Sequence, residues 1–252
     1  MTSTMVIKVL KKAAILLFWL AIWQLAAYLV DIELILPTPL STLKALKGLL
    51  YVPEFYSAVF ASLYRILLGF ILGVAFGFVG ALISSKVKFV SELFSPILKL
   101  FKAVPVASFI IIAFYWFLSD EVPTLICFLM VFPMIWSSVE TSLNNIDKKY
   151  LEVARVYKLS KLKTLFGIKI PFIMPNFLTT MLTALSFAWK SGIAAEIICT
   201  PPNSLGFMIQ TSKNGLLTPE VFALTVVVVL LSILLEAVVR FSVRRILNDK
   251  ID

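Results

Sequence analysis

The feature that most constrains this chain is a series of long apolar runs separated by short charged segments. The first run, residues 13–30, holds no charged residue, and roughly 20 apolar residues are enough for a helix to cross the hydrocarbon core of a bilayer. Such runs predict six membrane-spanning helices, at about 13–30, 58–83, 104–118, 122–143, 171–199 and 221–239. With 60% hydrophobic residues, residues 1–252 are predicted to form a single all-α integral membrane domain.

The basic residues are unevenly distributed between these runs. Of the 23 Lys and Arg, 18 lie in residues 1–12, 86–102, 148–169 and 240–252. Because Lys and Arg are enriched in loops on the cytoplasmic side of a membrane, these segments and both chain termini are predicted to be cytoplasmic. Pro96 is expected to interrupt any helix in the second of them. The net charge of +9 therefore indicates topology, and no nucleic-acid partner is predicted.

The longest polar interruption covers residues 148–170. It holds seven Lys and Arg against a single acid, Glu152, and its Leu, Ala and Phe residues recur at helical intervals. This pattern predicts a cytoplasmic amphipathic helix, or a pair of short helices, with one apolar side. Two partners for that side remain open at this point, either anionic lipid at the membrane surface or another protein.

The order of residues in this segment resembles the cytoplasmic loop of bacterial ABC importer permeases. That loop carries E-A-A, three residues, G, nine residues and I-x-L-P, and here Glu152 and Ala154 are followed at the same spacings by Lys158 and Pro171. The resemblance implies that a helix of the loop inserts into a groove on a separate cytoplasmic ATPase. It implies coupling roles for the following residues: Glu152, Ala154, Arg155, Lys158, Ile168 and Pro171.

Two residues depart from the family pattern. Val153 replaces an alanine, which is a mild change, and Lys158 replaces the glycine. Because lysine adopts positive φ less readily than glycine, the turn between the two helical parts is predicted to be less sharp or displaced.

Two further stretches are similar to the nitrate, sulfonate, taurine and bicarbonate branch of these permeases. They are LPTP at 36–39, and AWKSGIAAE at 188–196 followed by SLGFMI at 204–209. The resemblance implies a six-helix type I importer permease in the bacterial cytoplasmic (inner) membrane, carrying a small anion, a sulfonate or a vitamin-precursor-like solute. It also implies a second permease copy, two cytoplasmic ABC ATPases and an extracytoplasmic solute-binding protein as partners, besides membrane lipid.

The chain itself is not predicted to be an enzyme. It has no GxxxxGK[ST] phosphate loop, so no cofactor is expected on this chain, and ATP and Mg are expected on the partner ATPase. Because the chain has no histidine and only two cysteines, Cys127 and Cys199, no metal site is predicted. Two buried free thiols are favoured over a disulfide between these cysteines.

A glycine stripe marks the second predicted span. Gly69, Gly73 and Gly77 recur every four residues, so they share one helix face on which another helix can approach closely. Helix packing is the predicted role of this stripe. Arg65 lies four residues before Gly69 and is therefore predicted to face protein and not lipid.

Four residues in the outer half of the predicted bundle are candidates for the translocation pathway: Arg65, Trp189, Lys190 and Glu196. Ionisable groups inside a membrane are costly and often functional. Lys190 and Glu196 are six residues apart and point to different faces of one helix. A purely structural pairing of Arg65 with Glu196 is equally open.

Two other classes of function remain as alternatives to the importer permease. One is a stand-alone secondary transporter, for which inverted repeats with broken helices are expected, and the sequence shows no such pair of halves. The other is a membrane scaffold whose basic loop binds lipid.

Overall fold

The computed structural model describes residues 2–248, and for residues 2–6, 8, 9, 148 and 243–248 it describes the backbone only. All regular elements in this part of the chain are helical. They are α1 (Thr2–Val30), α2 (Pro39–Leu49), α3 (Pro53–Ser84), α4 (Lys88–Ala103), α5 (Val106–Phe114), α6 (Val122–Asn144), α7 (Lys148–Val156), α8 (Lys161–Thr164), a π-helical turn (Leu165–Lys169), α9 (Ile170–Cys199), α10 (Leu205–Asn214) and α11 (Thr218–Asn248). The segments predicted to be cytoplasmic at the chain ends, 1–12 and 240–252, include residues 1 and 249–252, which lie outside the described residues.

Within the described residues, five helices are long and apolar enough to cross a membrane: α1, α3, α6, α9 and α11. The number rises to six if α4 and α5, which meet at an angle of 104°, are counted as one broken span. The break lies at Pro105, which has no backbone N–H and restricts the preceding residue to an extended conformation. Val104 accordingly has a ψ of 131°.

The helices α3 and α6 run in the same direction, as their contacts show. Gly69 lies against Cys127, and Gly77, further along α3, lies against Ile135, further along α6. Residues 85–121 must therefore carry the chain back to the opposite end of the bundle before α6 begins. This return is made mainly by α4 and α5, and counting that pair as one broken span gives the described residues up to six crossings.

The return differs from the predicted third span at 104–118. Helix α5 has nine residues, fewer than the roughly 20 that a straight crossing needs, and α4 meets it at 104°, so the return is a bent path and not one straight helix. The expectation that Pro96 interrupts the helix is wrong, because Pro96 lies inside the 16-residue α4. A proline removes one hydrogen bond of the helical ladder, and helices in a membrane bundle tolerate that loss.

The core lies where α9 crosses α3 and α6 in the antiparallel direction. The Cys127 thiol donates a hydrogen bond to the Ala188 carbonyl (3.2 Å), and the hydroxyls of Ser138 and Thr180 are 2.7 Å apart. Both cysteines, Cys127 and Cys199, are buried free thiols, as predicted. These contacts hold α3, α6 and α9 together as the centre of the bundle.

The remaining helices surround that centre and expose apolar side chains, as expected of helices in lipid. Helix α1 attaches through Trp23, whose indole N–H donates to the Pro37 carbonyl (3.0 Å) and whose ring lies 5.9 Å from that of Phe222. Two ends of the bundle can be distinguished. The elbow end holds the elbow (residues 148–170) and the last turns of α3 and α6, and the α10 end holds α10 and the first turns of α3 and α6.

Candidate functional site

The elbow turns sharply at the end of α7 through a Schellman motif. The Leu159 N–H donates to the Ala154 carbonyl (2.9 Å), and the Lys158 N–H donates to the Arg155 carbonyl (3.0 Å). These are the two hydrogen bonds that define the motif, with Lys158 at the position where glycine is most common. The chain then enters α8.

Lys158 adopts a φ of 49°, in the left-handed region. The expectation of a less sharp or displaced turn is therefore wrong, because the turn forms at the position of the family's glycine. A non-glycine residue in this conformation costs about 1 to 3 kcal/mol, and the backbone hydrogen bonds of the motif compensate for this strain. The turn geometry is thus set by the backbone and not by the residue type.

The side chains of α7 divide between an inward and an outward face. Ala154 is only 5% exposed and lies against the chain itself. The other residues of α7 and its turn that were predicted to take part in coupling are exposed: Glu152, Arg155 and Lys158. The outward side also presents Val156 and Tyr157, which are 78% and 73% exposed and which the sequence analysis did not select. Their sequence pattern could have identified them, because they form an apolar pair directly before the turn in an otherwise basic segment.

The elbow continues into α9 without a loop. In the π-helical turn, which contains the half-buried Ile168, the Ile170 N–H donates to the Leu165 carbonyl five residues earlier. Pro171 follows and has no N–H, so it cannot donate its backbone hydrogen bond in the helix. The widened π-helical turn thus lies next to the place where this donor is missing. Lys161–Cys199 accordingly forms one helical stretch of 39 residues.

At the α10 end, the guanidinium of Arg65 contacts four groups. Its Nη2 donates to Asp120 Oδ1 (2.7 Å) and to the Pro202 carbonyl (3.2 Å). Its Nη1 donates to the Asn203 carbonyl (3.2 Å) and lies 3.6 Å from Glu196 Oε1. The planar donor fork of arginine suits such divided contacts. Any anion that approaches Arg65 must therefore replace one of these partners.

Glu196 is completely buried and lies at the first turn of α10. Its Oε2 accepts hydrogen bonds from the Ser62 hydroxyl (2.7 Å) and the Gly206 N–H (3.3 Å). A Cβ on Gly206 would lie 2.3 Å from Glu196 Cβ, so glycine is needed for this approach. The start of a helix favours a negative charge, and Arg65 supplies the counter-charge. We refer to Ser62, Arg65, Asp120 and Glu196 as the Arg65 cluster.

The structure brings together two of the four predicted pathway residues and separates the others. Arg65 and Glu196 meet in the Arg65 cluster. Trp189 is buried in the core, where its indole N–H donates to the Val228 carbonyl of α11 (3.0 Å), and Lys190 is exposed. Sequence reasoning missed Ser62 and Asp120 as members of this cluster, since no local pattern connects either residue with Glu196.

A groove of about 770 Å³ opens beside the Arg65 cluster, between α3 and α6. Arg65 and Asp120 border its polar part, and Leu72, Phe76 and Phe128 border its apolar part. A groove with an ionic end and an apolar body suits an amphiphilic or small charged molecule, or a neighbouring protein surface.

Residues 66–248, more than half of the chain, match the family described as binding-protein-dependent transport system inner membrane component. The taurine transport system permease protein TauC of Escherichia coli (strain K12) is 26% identical over 240 residues, which cover 93% of this chain and 86% of that protein. The nitrate import permease protein NrtB of Leptolyngbya laminosa is 30% identical over 194 residues, which cover 75% and 68%.

A crystal structure of an amino acid ABC transporter with histidines has the same fold. Its TM-score to this chain is 0.63 at 14% identity, and the alignment covers 80% of this chain and 96% of that one. The family match and this structure therefore agree on the helical fold. The chain therefore belongs to the family of binding-protein-dependent transport system inner membrane components, the permease subunits of ABC transporters.

Proposed function

We propose that this permease imports a small anionic solute and is driven by a separate cytoplasmic ATPase through the elbow. The observation that carries the proposal is the elbow itself, with its sharp turn, its exposed Val156 and Tyr157 and its loop-free connection to α9. The similarity to permeases named for taurine, which carries an anionic sulfonate group, and for nitrate supports a solute with an anionic group.

Coupling is proposed to occur through the outward face of α7 and the turn that follows it. Val156 and Tyr157 form the apolar centre of the contact with the ATPase, and Glu152, Arg155 and Lys158 form its polar rim, which is the usual arrangement of a protein interface. Ala154 shapes the turn from inside. Ile168 and Pro171 connect the elbow to α9. ATP and Mg are bound by the ATPase, since this chain has no phosphate loop.

The pathway is proposed to lie between two copies of the permease, with the elbow and both chain termini in the cytoplasm, as the positive-inside rule predicts. The α10 end then faces the solute-binding protein. The Arg65 cluster closes the outer end of the bundle at rest, and the exposed Lys190 supplies a positive charge for the passing anion. Trp189 is assigned a supporting role at the pathway, since it fixes α9 against α11.

The test is uptake of labelled taurine or nitrate by proteoliposomes that contain the permease, its ATPase and its solute-binding protein. Tyr157→Asp places a charge at the centre of the coupling contact and is expected to lower ATP-dependent uptake at least tenfold, because aromatic residues at interface centres contribute most of the binding energy. Tyr157→Phe is the matched control and should retain uptake.

Three outcomes are informative. Loss of uptake with Tyr157→Asp but not with Tyr157→Phe supports the coupling role. Full ATP-dependent uptake by Tyr157→Asp contradicts it. Uptake by the permease alone, driven by an ion gradient without ATP, contradicts the ABC mechanism and supports the secondary transporter.

A further inference from the structure

A cavity of about 510 Å³ lies at the elbow end, apart from the α7 face and the Arg65 cluster. Six residues border it: Lys86, Leu159, Lys161, Thr164, Leu165 and Lys169. Three of the six are lysines and none is acidic. The cavity is therefore strongly basic, with an apolar wall and one hydroxyl.

The three lysines of this cavity have no carboxylate within 4.0 Å among the described side chains. Glu140 borders a separate cavity that also touches Lys86 and Lys88, and Glu92 pairs with Lys88 at 3.5 Å. Positive charges that share a cavity repel one another, so the free energy of the elbow falls when an anion enters. Lysine is a common ligand of phosphate groups, which it binds as a point charge.

The position of the cavity along the bundle indicates which anion is available. The apolar span in α3 ends at Ser84, two residues before Lys86. The helical stretch Lys161–Cys199 has 39 residues, about twice the roughly 20 needed to cross the hydrocarbon core. Because three lysines lie within its first nine residues, we place those first turns beyond that core. The lysines thus lie where the two helices leave the membrane, at the level of lipid headgroups, and Leu159 and Leu165 suit the adjoining glycerol and acyl groups.

We propose that this cavity binds the phosphate of an anionic phospholipid headgroup, with Lys86, Lys161 and Lys169 as its cationic ligands. Lys86 belongs to the turn between α3 and α4, and the other two lysines belong to the elbow. A bound headgroup therefore bridges two segments of the chain and fixes the elbow relative to α3. The three lysines of this site are not among the residues of the proposed ATPase contact, and the site does not require the transported solute.

The experiment uses the full-length permease in a neutral detergent. Short-chain phosphatidylglycerol is titrated, and the midpoint of thermal unfolding gives an apparent affinity. Short-chain phosphatidylcholine, which has no net charge, and inorganic phosphate are titrated in parallel. The variant Lys86→Gln with Lys169→Gln is compared with Lys99→Gln with Lys163→Gln, a matched control that removes two exposed lysines from α4 and α8 outside the cavity.

Phosphatidylglycerol is expected to raise the midpoint saturably, and the two other additives are not. Each lysine near a membrane surface attracts an anionic lipid, so each single variant is expected to lower the apparent affinity for phosphatidylglycerol roughly fivefold. The double variant is expected to lower it roughly thirtyfold. The control should bind like the wild type. Equal losses in both double variants, wild-type affinity in Lys86→Gln with Lys169→Gln, or an equal response to phosphatidylcholine would overturn the site. A response to inorganic phosphate without one to phosphatidylglycerol would overturn the lipid as its occupant.

Discussion

The Nη1 atom of Arg65 lies 3.6 Å from the Oε1 atom of Glu196, and this contact joins α3 to α9 at the α10 end of the bundle. Glu196 is fully buried, whereas Asp120, the other acidic partner of Arg65, has a side chain that is 55% exposed. Loss of one member of a buried pair leaves the other charge unpaired, and loss of both does not. The two acids should therefore respond differently to substitution.

The first prediction concerns this pair. Arg65→Gln is expected to lower the free energy of unfolding by about 3 kcal/mol, because it leaves the buried Glu196 without a counter-charge. Adding Glu196→Gln should recover most of this loss. The free energies of unfolding of the single and the double variant are measured by unfolding in mixed micelles with increasing denaturing detergent. Asp120→Asn is the control and should cost less than about 1 kcal/mol, since its side chain is largely in solvent. A double variant as unstable as the single one would show that the pair is not the cause.

The second prediction concerns the glycine stripe. A Cβ on Gly73 would lie 2.7 Å from the Cβ of Val131, so Gly73→Ala should separate α3 from α6 and cost about 1 to 3 kcal/mol. Gly48→Ala is the matched control, because a Cβ there meets no atom within 4 Å and should stabilise α2 by about 0.5 to 1 kcal/mol. The unfolding midpoints of the two variants should move in opposite directions, and a parallel shift would contradict the close packing.

The third prediction concerns the turn of the elbow. Because Lys158 has a φ of 49°, Lys158→Gly should relieve strain and stabilise the turn by about 1 kcal/mol. Hydrogen exchange at the Leu159 N–H, which donates to Ala154, should slow accordingly. Lys158→Gln removes the charge but keeps the strain, so it should not slow exchange. If Lys158→Gln slows it as much as Lys158→Gly, charge and not conformation limits the turn.

The fourth prediction concerns Lys190. If this exposed residue attracts the solute, Lys190→Gln should lower uptake of an anionic solute several-fold, and its unfolding midpoint should stay that of the wild type. Lys213→Gln on α10 removes another exposed charge and serves as the control. Equal uptake by both variants would remove Lys190 from the pathway.

The fold class could be predicted from the sequence because the bilayer imposes a length on each apolar run. That length can be counted within the run itself, without knowledge of distant residues. The bent path of the chain between α3 and α6 was harder to predict from the sequence. Pro96 and Pro105 are both prolines in apolar surroundings, yet only Pro105 lies at a helix break. The packing around each proline decides this, and composition does not record it.

The Arg65 cluster shows a second limit. Arg65 could be assigned to a protein-facing stripe from its spacing to Gly69, because both lie on one helix. Its partners Asp120, Pro202 and Asn203 come from distant segments, and no periodicity links them to α3. The elbow shows the opposite case, since its spacing predicted where the chain turns, although residue preference alone argued against a turn at Lys158.

The loop-free connection between the elbow and α9 has a mechanical consequence. From Lys161 to Glu196 the backbone is one helical rod, about 50 Å long at 1.5 Å per residue. A loop would absorb rotation and a rod transmits it, so we expect torque applied at the elbow to turn the Glu196 carboxylate relative to Ser62 and to the first turn of α10. The torsionally soft points of this rod are the π-helical turn and Pro175 inside α9, where the hydrogen-bond ladder is incomplete. The stiffness of those two places sets how much of a twist at one end arrives at the other.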